Sequence, residues 1–287
     1  MLTVIERRAQ DERAVLFMCD FSPPMGSSLG LFESSRCLDV DFVSVSYNPG
    51  KSVRVNSVLS AYWIKEKIGL DVIFTIATRD MNKLAIQSLL LGADLLGLNN
   101  VVVVNGDPFK DSELYNINSV NDFKPTELIS SIKAMNTGLD FRGKNLLSPT
   151  KFCVGATIDL ARDIEGEMFL TRKKVQQGAD FFILQSLFEP EHLTDFLEHY
   201  HCKFGEPLNT LVFCGVQVMV KDSISFGNVP DWVKDDLYKG RTGEDLALET
   251  IQKFIEIGQR SIFLLPSITD GGKRDYKLAQ RVIEKFR

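Results

Sequence analysis

The chain has 287 residues, 44% of them apolar and 25% charged, with a net charge of −5 and an isoelectric point near 5.4. Those values exclude a disordered or collagen-like chain and argue against nucleic acid as the main partner. No apolar run is long enough for a membrane span and the opening MLTVIERRAQDERAV is too charged for a secretory signal, so a cytoplasmic protein that does not enter a membrane is expected. Cys19, Cys37, Cys153, Cys202 and Cys214 are odd in number and scattered, with no C-x-x-C, which reads as reduced thiols rather than a disulfide framework or a zinc ribbon.

From the N-terminus onward, short β-rich runs alternate with helical patterns. Strands are expected at 15–19, 41–46, 72–78, 101–104, 152–157, 181–185, 211–216 and 261–265. Helices are expected at 57–67, 82–96, 125–135, 167–177, 190–200, 244–257 and 276–286, and the connection at 28–36 carries the weakest helical pattern. One junction repeats: in LGLNNVVVV, QGADFFIL and IGQRSIFLL a helix ends near Gly97, Gly178 or Gly258 and a hydrophobic strand follows at once. A glycine suits the left-handed residue that stops a helix. Repeated βα units with short αβ turns predict a single-domain (β/α)8 TIM barrel over residues 1–287. An open doubly wound sheet would want a G-x-G-x-x-G after its first strand, where DFSPPMGSS stands instead. The long irregular stretches, 105–124 and 217–243, both follow strands, which in a barrel places them on the C-terminal face with the functional loops.

VVVVNGDPFK, residues 101–110, is a strand of four valines running into a carboxylate on a turn that proline makes rigid. In a barrel the other strands also end in polar residues: Asp20, Ser46–Tyr47–Asn48, Thr75, Thr78–Arg79–Asp80, Asn105, Thr157, Asp159, Gln185 and Gln217. Each has a plain alternative. Asp20 and Asp107 lie close to prolines and could cap turns, Asp80 reads as a helix N-cap, Thr75 and Thr78 are ordinary strand residues, and Lys174 reads as a solvated helix lysine. Gln185 has no obvious structural purpose at a strand end. His192, His199 and His201 share one helical region, but His199 and His201 fall on different faces, so no metal is expected. TDGGK, residues 269–273, reads as a flexible turn or a phosphate cradle. Fold and composition alone leave the chemistry open.

Residues 49–109, PGKSVRVNSVLSAYWIKEKIGLDVIFTIATRDMNKLAIQSLLLGADLLGLNNVVVVNGDPF, resemble the methylenetetrahydrofolate reductase family. The likeness resumes in SPTKFCVGAT, TRKKVQQGADFFILQSLFEPE and NVPDWV, covering nearly the whole chain. It is nearest to the branch fused to homocysteine methyltransferase domains, whose "CRDRN"-like turn corresponds to Thr78–Asn82 here. The resemblance implies a (β/α)8 barrel carrying FAD that reduces 5,10-methylenetetrahydrofolate to the 5-methyl form, a step toward methionine biosynthesis.

Carried over by position, Asp107 matches an aspartate beside flavin and folate, which makes it a catalytic and a cofactor-binding candidate, Lys174 a lysine contacting FAD, and Gln185 a glutamine holding the substrate. Asp20 stands where the family has a catalytic glutamate that helps protonate the folate, which makes it both a catalytic and a substrate-binding candidate. Thr75, Asn105, Gly106 and Thr157 complete the implied flavin contacts. Several of these depart from the family. Asp20 is one methylene shorter, Thr75 replaces a histidine, Thr157 a tyrosine, and Asn105 an arginine or threonine.

Together these departures point to a shifted cofactor site, a different electron donor or lost flavin binding. The expected activity is therefore a flavin-dependent reductase fed by NAD(P)H or by a partner redox protein. Its rivals are a folate-binding subunit without its own flavin and a non-redox pterin-binding barrel. Self-association into a homo-oligomer stays open, since no exposed apolar patch can be read from the sequence.

Overall fold

In a computed structural model, described for residues 1–161, 163–225, 227–269 and 273–287, the strands close into an eight-stranded parallel barrel. They are β1 (Leu16–Phe21), β2 (Phe42–Val45), β3 (Val72–Ala77), β4 (Asn100–Val104), β5 (Cys153–Ile158), β6 (Phe181–Ser186), β7 (Leu211–Gln217) and β8 (Ser261–Leu265). Each pairs with its neighbour in chain order, and β8 returns to β1 with Leu16 opposite Ser261 and Met18 opposite Phe263. The expected strands are all present, within one or two residues at their ends.

Strand parity divides the core in two, because successive side chains point to opposite faces. One set, with Met18, Phe42, Ile73, Phe181, Phe213 and Phe263, fills the lumen. The other, with Phe17, Val43, Phe74, Val101, Val103 and Leu184 among them, packs outward against the helices. This explains the run of valines: β4 is buried on both faces, with Val101, Val102 and Val103 at most 2% exposed. Phe213 meets Phe42 and Phe181 edge to face, at centroid distances of 6.4 and 6.2 Å. Burial of each such ring contributes about 1.5–3 kcal/mol. Gly155 is required here, because a Cβ there would lie 2.4 Å from the Phe181 ring.

The outer helices are α2 (Ser57–Ile68), α3 (Lys83–Leu95), α4 (Pro125–Met135), α5 (Ile164–Gln176), α6 (Glu191–Phe204), α8 (Gly243–Glu256) and α9 (Tyr276–Phe286). Gly97, Gly178 and Gly258 all have positive φ, as the repeated junction predicts. The 28–36 connection is a 3-10 helix, Leu29–Cys37, rather than an α-helix.

Besides a 3-10 turn at Pro49–Lys51, three elements escaped the sequence reading. An N-terminal helix, α1 (Val4–Gln10), closes the bottom of the barrel; Val4 is fully buried among the lumen residues and its N–H donates to Asn100 Oδ1 at 2.9 Å. A short helix, α7 (Asp231–Tyr238), interrupts the 217–243 stretch, which is therefore not wholly irregular. At eight residues it is too short to show a clear period, and Val233 alone of its residues is fully buried. A two-stranded hairpin, β9 (Ile268–Thr269) with β10 (Lys273–Arg274), follows β8. The Asp270–Gly272 part of the TDGGK turn lies outside the described residues. Among the described residues no helix is long and apolar enough to cross a membrane.

Candidate functional site

Above the aromatic floor the inward positions become small or polar. Asp20 on β1, Ser44 on β2, Thr75 and Ala77 on β3, and Gly155 and Thr157 on β5 share the lumen parity of Met18, Phe42, Ile73 and Cys153. The sequence-derived ring of polar strand ends therefore exists, and the fold divides it into separate groups.

The first group surrounds Asp20, which is 4% exposed. Ser46 Oγ donates to its Oδ1 at 2.6 Å, and the guanidinium of Arg274 forms an ion pair with Oδ2. Arg274 comes from β10 and is itself buried; its Nε donates to Ser22 Oγ and its Nη1 to the Pro266 carbonyl, both at 3.1 Å. Beneath them Tyr276 stacks on Phe21 at 5.6 Å, and its phenol oxygen accepts the Ser22 N–H at 3.4 Å. Burial, then the charge of Asp20, raises the Tyr276 phenol well above its ordinary pKa; burial does the same to the Cys19 thiol. Both carboxylate oxygens of Asp20 are thus engaged by a donor or a cation. The sequence reading missed Arg274. Its signal was a cation two residues beyond the glycines that follow β8, on the face where functional loops gather.

The second group holds the Gly106–Asp107–Pro108–Phe109 turn. Arg79, 5% exposed, grips the Asp80 carboxylate with two bonds of 2.5 and 2.7 Å. Its remaining arm donates to the Asp107 carbonyl at 2.7 Å, and its guanidinium lies 4.3 Å from the Phe109 ring centroid. Asp80 is therefore not the N-cap of α3. Asn82 fills that role, accepting the Ala85 N–H at 2.9 Å, while Asp80 is held back by Arg79. Burial and the adjacent Asp80 charge push the Tyr47 phenol up to about 12. Gly106 has φ +86°, and a Cβ there would sit 3.2 Å from those of Ala77 and Arg79. Asn105 packs on Thr78 at 3.4 Å, and the Asp107 side chain is exposed to solvent.

The third group lies under Thr157. The Lys174 ammonium donates to the Thr157 carbonyl at 2.6 Å and to Glu167 Oε1 at 3.2 Å, with side chains only 7% and 2% exposed. Lys174 is thus no solvated helix lysine. Glu167 and Lys174 are seven residues apart, two turns on one helix face, a signal present in the sequence but not used.

The fourth is a cleft of about 350 Å³ at the ends of β5 and β6, lined by Asp159, Gln185, Glu189, His192 and Asn228 among others. Gln185 is exposed there because β6 carries a bulge between Ile183 and Ser186. Gly215 on β7 makes that bulge possible, since a Cβ would stand 2.5 Å from the Leu184 carbonyl oxygen. Gln217 instead turns inward to hold a loop, donating to the Ile224 carbonyl at 2.7 Å.

A closed parallel barrel with polar groups gathered at its strand C-termini is a barrel of the ligand-binding, enzyme-bearing type. Residues 5–258 match the methylenetetrahydrofolate reductase family, and the chain belongs to that family. A solved structure, titled as an uncharacterized protein from Clostridium thermocellum that binds two copies of 5-methyl-5,6,7,8-tetrahydrofolic acid, superposes with a TM-score of 0.69. It is 13% identical, with 98% of each chain covered, a likeness that bears on the fold. No curated protein matches the chain.

The family implies a flavin dinucleotide, and the donor set at the strand ends bears on its fit. Small inward residues at Thr75, Ala77, Gly155 and Thr157 leave a floor over which a planar ring can lie. A diphosphate instead wants cations or open helix starts. Arg79, Lys174 and Arg274 are each paired to a carboxylate of the protein, and Lys51 is bound to Glu113 at 2.6 Å. The starts of α3 and α5 are already taken by Asp122 and Asp163. The inward residues fit a pterin-sized ring, while these four cations and two helix starts are committed within the protein.

Proposed function

We propose that the protein binds a C1-carrying reduced folate over the C-terminal ends of its strands and acts in the interconversion of the 5,10-methylene and 5-methyl forms. The family match over residues 5–258 carries this reading. The geometry adds a mouth of the right chemistry: a buried carboxylate at Asp20, an exposed amide at Gln185 and the anchored Asp107 turn. The 5-methyltetrahydrofolate bound by the Clostridium thermocellum protein also supports it.

Gln185 would grip the amide and amine edge of the pterin, with Asp107, two strands away beyond β4, orienting it. Asp20 would place negative charge against the cationic iminium that forms when the five-membered ring of the methylene form opens at nitrogen. A proton-donor role for Asp20 would require it to release Arg274. Thr75, Asn105, Gly106 and Thr157 would border the ring, and Lys174 would act from below by fixing the Thr157 backbone.

Flavin-dependent reduction is the finer form of this reading, supported by the family; FAD would then supply hydride to the folate carbon. A folate-binding subunit fed by a partner redox protein is the second form, favoured by the commitment of the strand-end cations to internal partners. The test is titration of the purified protein with 5-methyltetrahydrofolate, alongside its visible spectrum before and after addition of FAD. Saturable folate binding, weakened in Asp20→Asn and Gln185→Ala, is the expected result; no binding at any accessible concentration sinks the proposal. A flavin spectrum retained through gel filtration selects the first form, and a colourless protein that still binds folate selects the second.

A further inference from the structure

The geometry points to Arg274 as the positioning residue for Asp20, an arginine carried on the hairpin beyond the last barrel strand that fixes this carboxylate in place. The inference rests on the folate reading of Asp20 given above. Three observations carry it. Arg274 spends all three faces of its guanidinium inside the protein, on Ser22, Pro266 and Asp20, with its side chain 5% exposed. Asp20 is equally buried and receives Ser46 from the other side, so its oxygens point in set directions. The start of α9, two residues beyond Arg274, is tied to β1 and the residue after it through the Tyr276–Phe21 stack and the Ser22 N–H.

Other ionisable groups near Asp20 cannot take over this task. Arg54, from the segment ahead of α2, is engaged by the carbonyls of Pro23 at 2.8 Å and Pro49 at 3.3 Å. Tyr276 on α9 and Cys19 on β1 are held protonated by burial and bring no charge at neutral pH. Among the described residues, Arg274 is the cation in direct contact with Asp20.

A fork-shaped, permanently charged partner fixes the direction of a carboxylate, which a neutral side chain of the same size does not. Asp20 acts as an oriented carboxylate in this scheme, so its contribution to folate binding should be lost when the Arg274 fork is removed.

The experiment measures equilibrium binding of 5-methyltetrahydrofolate at neutral pH for the wild type, D20N, R274K, R274Q and the double variant D20N/R274Q. R274Q is expected to weaken binding at least about tenfold. R274K keeps the charge without the planar fork and should recover part of that loss. In the D20N background, adding R274Q should change affinity less than about threefold, as for two residues acting through one contact. An R274Q affinity within about threefold of wild type overturns the inference. Should R274Q alone fail to fold because Asp20 is left buried without its partner, the double variant, neutral at both positions, decides: affinity equal to D20N supports the inference and a further tenfold loss overturns it. A D20N protein that binds like wild type overturns the reading of Asp20 itself, an outcome distinct from either.

Discussion

Arg79 and Asp107, on the ends of neighbouring strands, are joined by a hydrogen bond of 2.7 Å from the guanidinium to the aspartate's backbone carbonyl, not to its carboxylate. The turn after the valine strand is thus held by its main chain, and the Asp107 side chain stays exposed. The Arg79→Ala variant should detach this turn and leave Asp80 without its bidentate partner. A loss of about 2–4 kcal/mol in urea unfolding is expected, since removing one member of a largely buried pair strands the other. Arg79→Lys should recover only part of it, because an ammonium cannot span Asp80 and the carbonyl as a planar fork does.

Gly106→Ala tests the same turn from the backbone. An alanine at φ +86° is strained, and its Cβ would press on Ala77 and Arg79 at 3.2 Å. A destabilisation above about 1 kcal/mol is expected, with folate affinity falling more than in a surface control. Unchanged stability and affinity would mean that the turn tolerates a different conformation.

Lys174→Met leaves Glu167, whose side chain is 2% exposed, as a buried carboxylate without its cation. Chemical denaturation should show a loss of about 3–5 kcal/mol, and the Lys174→Met/Glu167→Leu pair should regain most of it. If the single variant is as stable as wild type, the ion pair contributes nothing to the barrel wall under Thr157.

The Tyr47 phenol, pushed up to about 12 by burial and Asp80, sets an alkaline limit. An unfolded tyrosine loses its proton near pH 10, so between about 10 and 12 the native state holds the extra proton. The stability this represents is present in full below pH 10 and is lost as pH rises toward 12, by up to about 1.4 kcal/mol per unit. Tyr47→Phe should flatten that part of the pH dependence of the urea midpoint. An identical slope in both proteins would place Tyr47 in a more open environment than the one described.

The barrel was legible because it rests on local signals. Valine- and phenylalanine-rich runs of strand length, glycines at helix ends and helical periods between them predict each strand to within one or two residues. The short pieces were not legible. α1 and α7 are too brief to show a period, and α1 is stabilised by the barrel floor that it plugs, through Val4 and Asn100. At the mouth, Asp20, Asp107, Gln185 and Lys174 could be singled out by position and resemblance, but not their partners. Arg274 lies 254 residues from Asp20, and nothing local links them. Asp80 looked like a cap because the alternative partner, its neighbour Arg79, becomes available only when burial turns that side chain inward.

By itself the sequence determines which residues alternate between lumen and wall, where the chain turns, and that polar residues crown the strands, because these depend on period and on backbone preference over a few residues. Only the tertiary structure decides how that crown is wired. Closing β8 onto β1 brings the final hairpin over Asp20, the bulge in β6 packs the backbone at Gln185 against Gly215, and burial converts Arg79 and Lys174 from surface cations into anchors of the Asp107 turn and the Thr157 backbone. A buried charge must find an opposite charge or a carbonyl, and which one it finds is set by the packing of distant segments.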